Sequence, residues 1–518
     1  MNFITFNYFM SQPEKIRLRL APSPTGFLHI GNLRTALFGY LLAKSMHGPS
    51  TGSGQGKFIL RIEDTDEKRE VEGAVKSLIN ILAWAGIKFD EGPEQGGPFA
   101  PYIQSQRLEI YKTHYEQLLE SGKAYRCFCA LERLTEMREE QQKNKQAPRY
   151  DHHCRSLSAE VVQSKLTAGE SFVIRQAMPL EGEIEVYDEL RGVIKFRAED
   201  LDDHVLIKAN GVPTYQFASV VDDHLMEISH VTRGEEWLPS FPKNILLYQA
   251  FAWAPPKFIH LPLILNQTGG KLSKRQGDVF VEDYKAKGYL PEALINFCAF
   301  LGWHPCSAKA TQGKPTDSEK EIFTLAELEK IFSIECMGTS PAVFDLEKLN
   351  YLNGYYIRQL PQNDLVALTK PYLAETIAAA PFKISDEYLA KVVGLEQERL
   401  KILGEITEAT AYFFVAQPDY DAQLLVWKKS DATQTKANLQ TLIDYLQNFT
   451  GEWTKANLGT SIKQLIADPS TGLGQVGDYL WPMRVALTGR QFSPGPFEVA
   501  EVLGKEMTLA RLNFAIKK

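Results

Sequence analysis

A histidine two residues ahead of a glycine, where a strand-like run hands over to a helix-like one, is suited to binding phosphate. Residues 21–32 read Ala-Pro-Ser-Pro-Thr-Gly-Phe-Leu-His-Ile-Gly-Asn. A strand-to-helix turn of this kind exposes backbone N–H groups and the positive end of the helix dipole, and Gly31 lets a charged ligand approach the backbone. His29 adds a polar donor that can reach a triphosphate. A second basic loop, residues 266–277, reads Asn-Gln-Thr-Gly-Gly-Lys-Leu-Ser-Lys-Arg-Gln-Gly. Gly269 and Gly270 make it mobile, and Lys271, Lys274 and Arg275 can carry charge to a leaving pyrophosphate. Each loop alone has a plainer reading, as a helix start with a satisfied histidine or as a solvated basic segment.

The elements that must hold these loops follow from periodicity. Residues 16–20 alternate apolar and basic as a strand does, so Arg17 and Arg19 share one face while Ile16, Leu18 and Leu20 bury the other. Leu33, Ala36, Leu37, Tyr40 and Leu41 recur at helical spacing. Further buried-strand candidates at 58–62 and 261–265 suggest a parallel sheet wrapped by helices. From about residue 359 onward the pattern is nearly all helix, with helical apolar spacing over 386–415 and 499–516.

At 518 residues the chain is long enough for roughly three to five domains. No apolar run approaches the roughly 20 residues that cross a bilayer. The first nine residues lack a basic start and a small-residue cleavage site, so they read as a loose extension, with Met10 an alternative start. Six cysteines in so long a chain, three of them clustered, suggest a reducing compartment and hence the cytoplasm. A net charge of −7 is awkward for an RNA binder, but a local basic face can coexist with an acidic remainder. The Gly-Ser-rich stretch 48–56 reads as a longer surface loop.

The two loops occur in the order and at the separation of a known pair. The chain resembles the class I aminoacyl-tRNA synthetases, with His29-Ile30-Gly31-Asn32 matching the His-Ile-Gly-His signature and Lys271-Leu-Ser-Lys274-Arg275 the Lys-Met-Ser-Lys-Ser signature. Within that class it is similar to the bacterial-type glutamyl-tRNA synthetases. The words that carry this are residues 19–32, Phe-Ile-Leu-Arg-Ile-Glu-Asp-Thr-Asp at 58–66, Val-Val-Asp-Asp-His at 220–224, Arg-Gly-Glu-Glu-Trp at 233–237 and Phe-Asp-Leu-Glu-Lys-Leu-Asn-Tyr-Leu-Asn-Gly at 344–354. They span nearly the whole chain.

The resemblance implies an α/β Rossmann-like catalytic domain with an inserted acceptor-binding domain and a mainly helical anticodon-binding region. Its expected layout is an N-terminal extension at 1–15, catalytic parts at 16–107 and 213–268, and the insertion at 108–212. A stem-contact domain with the second basic loop follows at 269–358, and the helical region at 359–518. A linker-like segment is expected at 307–321.

For the amino acid, the resemblance implies that Arg19 and Arg233 hold the carboxylates of L-glutamate. Guanidinium suits that task and would reject uncharged glutamine by leaving a buried charge unpaired. Glu63 resembles the group that pairs the substrate ammonium, and Ser23, Tyr215, Glu236 and Trp237 complete the pocket or the ATP contacts. Ser219 departs from the asparagine often found there. ATP is expected to meet His29, Gly31, Glu236, Leu263 and Lys274, with His29, Asn32, Lys271 and Lys274 acting in catalysis. Plainer readings exist for several of these. Tyr215 and Trp237 could be core aromatics, and Glu63, Asp64, Asp66, Asp222 and Asp223 could cap helices.

Cys127-Phe-Cys129 and, after 24 residues, Cys154 resemble the zinc site of part of the family. The position two residues beyond the third cysteine is Ser156, a poor ligand, whereas Tyr150 fits the Tyr-x-x-x-Cys spacing of a related site. One structural Zn²⁺ per chain on Cys127, Cys129, Tyr150 and Cys154 is expected, against the alternative of three buried thiols.

The implied reaction is attack of the glutamate α-carboxylate on ATP-Mg²⁺ to give glutamyl-adenylate, then transfer to the terminal ribose of tRNA-Glu. A monomer that avoids membranes is expected. The rival readings are an enzyme that also charges tRNA-Gln with glutamate, a metabolite nucleotidyltransferase and a non-catalytic tRNA-binding relative. A tRNA-modifying glutamyl transferase lacks the anticodon region, and glutaminyl-tRNA synthetase ends in β-barrels.

Overall fold

In chain order the strands are β1 (Phe3–Ile4), β2 (Arg17–Leu20), β3 (Lys57–Leu60), β4 (Ala124–Cys127), β5 (Val173–Gln176), β6 (Glu183–Asp188), β7 (Gly192–Arg197), β8 (Val205–Ile207), β9 (His230–Gly234), β10 (Lys257–Leu261), β11 (Ile264–Leu265) and β12 (Ala342–Val343). They belong to a computed structural model that describes residues 3–4, 15–46, 56–66, 69, 71–270, 272, 280–306, 320–428, 430–467 and 475–518. Lys271, Lys274, Arg275, most of the 48–56 stretch and residues 307–319 of the expected linker lie outside the described residues.

The main sheet runs β1-β6-β10-β9-β2-β3, every neighbouring pair parallel, with β7 antiparallel on β6. Helices α1 (Ile30–Ser45), α2 (Ala74–Trp84), α3 (Leu108–Glu120), α4 (Leu131–Lys143), α5 (Ala159–Thr167), α6 (Tyr215–Leu225) and α7 (Phe241–Ala250) connect and flank the strands. A parallel sheet is covered on both faces. That corrects the half-buried strand expected at 16–20, because all four residues of β2 are buried. Arg17 is held by Glu91 through two 2.8 Å contacts, and Arg19 by Asp223. Helix α1 lies so close to the sheet that a Cβ on Gly39 would meet the Phe58 ring at 3.0 Å and Thr232 Oγ1 at 3.1 Å.

One sequence expectation changes here. The N-terminal extension is not wholly loose, since Phe3 and Ile4 pair in parallel with Glu183 and Ile184 of β6. Within the stretch 108–212, β6 and β7 join the main sheet while β4, β5 and β8 make their own antiparallel sheet. Cys306 and Cys336 form a disulfide, Cα atoms 5.5 Å apart, which weakens the argument from cysteine usage to a reducing compartment. Among the described residues no helix is long and apolar enough to cross a membrane.

The chain divides into two compact units. One comprises residues 1–284 and 294–346, the other 285–293 and 347–518. The second unit is helical, with an aliphatic and aromatic core that includes Leu442, Phe413, Met483 and Leu512. The continuous helical spacing expected over 386–415 is broken in the structure. Helix Asp386–Glu396 ends, and short turns at Leu403–Glu405, Ile406–Thr410 and Ala411–Phe414 follow. Arg511, fully buried, spans this break with hydrogen bonds to the carbonyls of Tyr412, Val415 and Leu487. Helix Pro496–Lys517 is itself kinked at Gly504, whose φ of 78° lies in the left-handed region.

Candidate active site

His29 is the N-cap of α1, and its Nδ1 accepts the Gly31 N–H at 3.1 Å. The first turn of α1 carries no acidic side chain, so the helix start keeps its positive potential. A Cβ on Gly31 would meet only ordinary contacts, His29 Nδ1 at 3.4 Å and Ile264 Cδ1 at 4.0 Å, so packing within the protein does not demand glycine there. Asn32 is exposed in the first turn.

Below this turn the strand ends and α6 gather a dense set of buried charges. Asp223 receives Arg19 Nε at 2.9 Å and Arg61 Nη1 at 2.7 Å. Asp222 receives Gln104 Nε2 at 2.9 Å, Arg107 Nε at 2.7 Å and the Tyr111 hydroxyl at 2.8 Å. These aspartates sit inside α6 and are hubs of an arginine network, not helix caps. Burial opposes the charge of Asp223, but Arg19 and Arg61 outweigh it and hold its carboxyl below the usual range.

Glu63 also corrects the capping alternative. It is buried, its Oε1 accepts from Arg61 Nη2 at 2.9 Å, and its Oε2 has no hydrogen-bond partner among the described residues. Burial, only partly offset by Arg61 and Arg19, pushes this carboxyl up to about 7. Its N–H donates to Pro22 O at 3.0 Å, which ties the loop bearing the exposed Ser23 to the end of β3. Asp64 holds the N–H and hydroxyl of Ser105 at 2.8 and 2.6 Å, and Asp66 pairs with Arg69.

Tyr215 interacts electrostatically with Glu63, Arg233, Arg19 and Asp223, so the structure brings these predicted groups together. Trp237 packs against Tyr215, ring centroids 4.6 Å apart and the planes tilted by 35°, and is 37% exposed, so it is not a core aromatic. Ser219 is buried and turns its hydroxyl to Gln216 O at 3.5 Å. Of the groups expected around ATP, Glu236 is exposed and folds its carboxylate over Gly234. The Leu263 N–H is taken by Glu235 Oε1 at 2.9 Å and its carbonyl by the Ala342 N–H at 3.0 Å.

Three partners escaped the sequence reading. Arg233 Nε donates to His260 Nε2 at 2.9 Å, Arg233 Nη2 to Asn244 Oδ1 at 3.2 Å, and His260 Nδ1 lies 2.8 Å from Asp188 Oδ2. A histidine inside the otherwise apolar run 259–265 was the signal that could have exposed this chain of contacts.

Residues 15–351 match the family described as "tRNA synthetases class I (E and Q), catalytic domain", and residues 364–516 match "Anticodon binding domain". The chain belongs to the class I tRNA synthetases for E and Q. It is 43% identical to the glutamate–tRNA ligase of Alkaliphilus metalliredigens, over 97% of this chain and 99% of that one. The glutamate–tRNA ligase of Chlorobaculum parvum is 42% identical, with 98% of each chain covered. A crystal structure of a glutamate tRNA ligase from Elizabethkingia meningosepticum, in complex with its amino acid, superposes with a TM-score of 0.86 at 37% identity. That match covers 98% of this chain and 100% of that one.

This synthetase also carries a thiol cluster. The sulfurs of Cys127, Cys129 and Cys154 lie within 4.8 Å of one another, with Cys129 and Cys154 3.5 Å apart. The Tyr150 hydroxyl is 3.3 Å from Cys127 Sγ and 3.5 Å from Cys129 Sγ. Tetrahedral zinc with Zn–S bonds of about 2.3 Å spaces its sulfurs about 3.8 Å apart, so the donor set fits a closed structural site. Against burial, the Tyr150 hydroxyl and Arg175 hold the Cys127 thiol below its usual range, whereas burial pushes Cys129 up to about 11 although Arg133 donates to its Sγ at 3.4 Å. His152 is engaged with Asp203, and Ser156 is exposed.

Proposed function

We propose that this chain ligates L-glutamate to tRNA-Glu through glutamyl-adenylate, releasing diphosphate and then AMP. The observation that carries the reading is near-full-length identity of 42–43% to glutamate–tRNA ligases, joined to the buried cluster of Arg19, Arg233 and Glu63. Arg19 and Arg233 take the carboxylates, and Glu63, with one oxygen unpartnered, takes the ammonium. Ser23, Tyr215 and Ser219 shape that pocket.

ATP lies with its phosphates at the start of α1, against Gly31 and His29, while Glu236, Leu263 and Lys274 complete its contacts. Asn32 stands where the family signature has its second histidine. Mg²⁺ enters with the ATP phosphates, and Lys271 and Lys274 neutralise the charge that develops on the leaving pyrophosphate. No covalent enzyme intermediate is needed, since positioning and charge stabilisation carry both displacements. One structural Zn²⁺, held by Cys127, Cys129, Cys154 and Tyr150, would brace the segment around β4 without taking part in the chemistry. The enzyme acts as a cytoplasmic monomer.

The decisive experiment is aminoacylation by purified protein, with radiolabelled glutamate or glutamine, ATP-Mg²⁺ and separate tRNA-Glu and tRNA-Gln transcripts. Glutamate is expected on tRNA-Glu and glutamine on neither. Glutamate on tRNA-Gln as well would make the enzyme non-discriminating. Failure with properly modified tRNA would return the nucleotidyltransferase and RNA-binding readings.

A further inference from the structure

We propose that Asp188 and His260 are positioning residues that set the orientation of Arg233 toward the substrate carboxylate. The proposal rests on the reading of Arg233 as a carboxylate ligand. It begins in the sheet: β6, β10 and β9 are adjacent and parallel, His260 of β10 pairs in register with Arg233 of β9, and Asp188 ends β6 opposite Phe258 of β10. Register therefore sets His260 beside Arg233, with Asp188 two residues short of them on the same face of the sheet.

The hydrogen bonds then leave each group one role. Asp188 Oδ1 accepts the N–H groups of Leu190 and Arg191 at 3.0 and 3.1 Å. Its Oδ2 accepts the His260 N–H at 3.0 Å and faces His260 Nδ1 at 2.8 Å. A carboxylate requires a proton on Nδ1, so Nε2 presents a lone pair, and that lone pair meets Arg233 Nε at 2.9 Å. Burial lowers the pKa of His260 even though Asp188 opposes the shift, which keeps the ring a neutral acceptor. Asn244 holds Nη2, and the Phe258 ring lies 5.1 Å from the guanidinium carbon. Arg233 is thus fixed along one side, and the rotamer freedom of a long side chain is removed before the amino acid arrives.

The test is equilibrium dialysis of radiolabelled glutamate, with KM values from aminoacylation, on wild type, His260→Leu, His260→Gln, Asp188→Asn and Arg233→Gln. Asparagine at 188 keeps an oxygen for the Leu190 and Arg191 amides but turns its NH₂ to His260, reversing the tautomer and placing a donor against Arg233, and it also removes the acceptor of the His260 N–H. His260→Leu and Asp188→Asn are expected to weaken glutamate binding and raise its KM about tenfold, leaving the KM for ATP and for tRNA within about twofold. His260→Gln, whose amide oxygen can take the place of Nε2, is expected to recover most of the loss.

Unchanged glutamate affinity in Asp188→Asn, with affinity lost in Arg233→Gln, would overturn the proposal. Unchanged affinity in Arg233→Gln itself would instead refute the carboxylate reading. Thermal melts show whether His260→Leu folds; if it does not, Asp188→Asn against His260→Gln decides between the outcomes.

Discussion

Glu63 is the residue whose environment makes the sharpest claim. Burial raises its carboxyl to about 7 against the pull of Arg61 and Arg19, so the group changes charge inside the working pH range. A protonated Glu63 cannot pair an ammonium, and kcat/KM reports the free enzyme. We therefore expect kcat/KM for glutamate to fall as pH is lowered through about 7, and Glu63→Gln to be weakened and flat across that step. The same shift has the opposite sign for stability. The native state holds the proton that the unfolded chain releases near its ordinary value of 4.5, so this group's contribution declines as pH rises from there to about 7. A urea-melt series in which the wild type and Glu63→Gln have parallel pH dependence would contradict it. Lys274 belongs to the same scale through its chemistry. Its replacement by Ala is expected to slow adenylate formation far more than it weakens tRNA binding, and equal losses in rapid-quench and binding measurements would remove it from the chemical step.

At the scale of elements, two features tie chemistry to folding. Arg511 is buried and donates to the Tyr412 and Val415 carbonyls, where the helical run after Glu396 has broken into short turns, and to Leu487 O near the end of another helix. An Arg511→Leu variant orphans several buried acceptors at roughly 1–3 kcal/mol each, so the helical unit should lose several kcal/mol in denaturant titration. With zinc bound, the thiol cluster would brace the segment around β4 and α4. Chelator-free protein is expected to carry about one zinc per chain by elemental analysis, and Cys154→Ser to lose it and open that segment to proteolysis. Well under one zinc would sink the site.

These elements also show what a sequence can reveal. The turn at 21–32, the strand candidates and the thiol spacing were readable because each depends on a few neighbouring residues. The Arg61, Asp222 and Asp223 network was not, because partners up to 162 positions apart meet only once β3 and α6 pack. The alternation at 16–20 placed Arg17 and Arg19 on one face without their countercharges for the same reason: Glu91 and Asp223 come from elsewhere in the chain. The break after residue 396 escaped because Arg511, which satisfies it, lies 99 positions beyond the Tyr412 carbonyl it binds.

For the whole molecule, the governing fact is that an acidic chain must hold a polyanion. With 57 basic and 64 acidic residues the net charge is −7, so long-range attraction cannot draw RNA in from every side. Binding must come from a local face where lysines and arginines displace counterions, joined to stacking and hydrogen bonds on unpaired bases. Those two contributions respond differently to salt. Counterion release gives a logarithmic slope of about −0.7 to −0.9 per phosphate contact, while base contacts are nearly indifferent to salt. Filter binding between about 50 and 300 mM NaCl should therefore show a steep loss for tRNA-Glu, with an unrelated tRNA already weak at the lowest salt. The ratio between the two should change little, because it is set by base contacts. If the unrelated tRNA bound as tightly as tRNA-Glu at low salt, selectivity would have to arise after binding, in the transfer step.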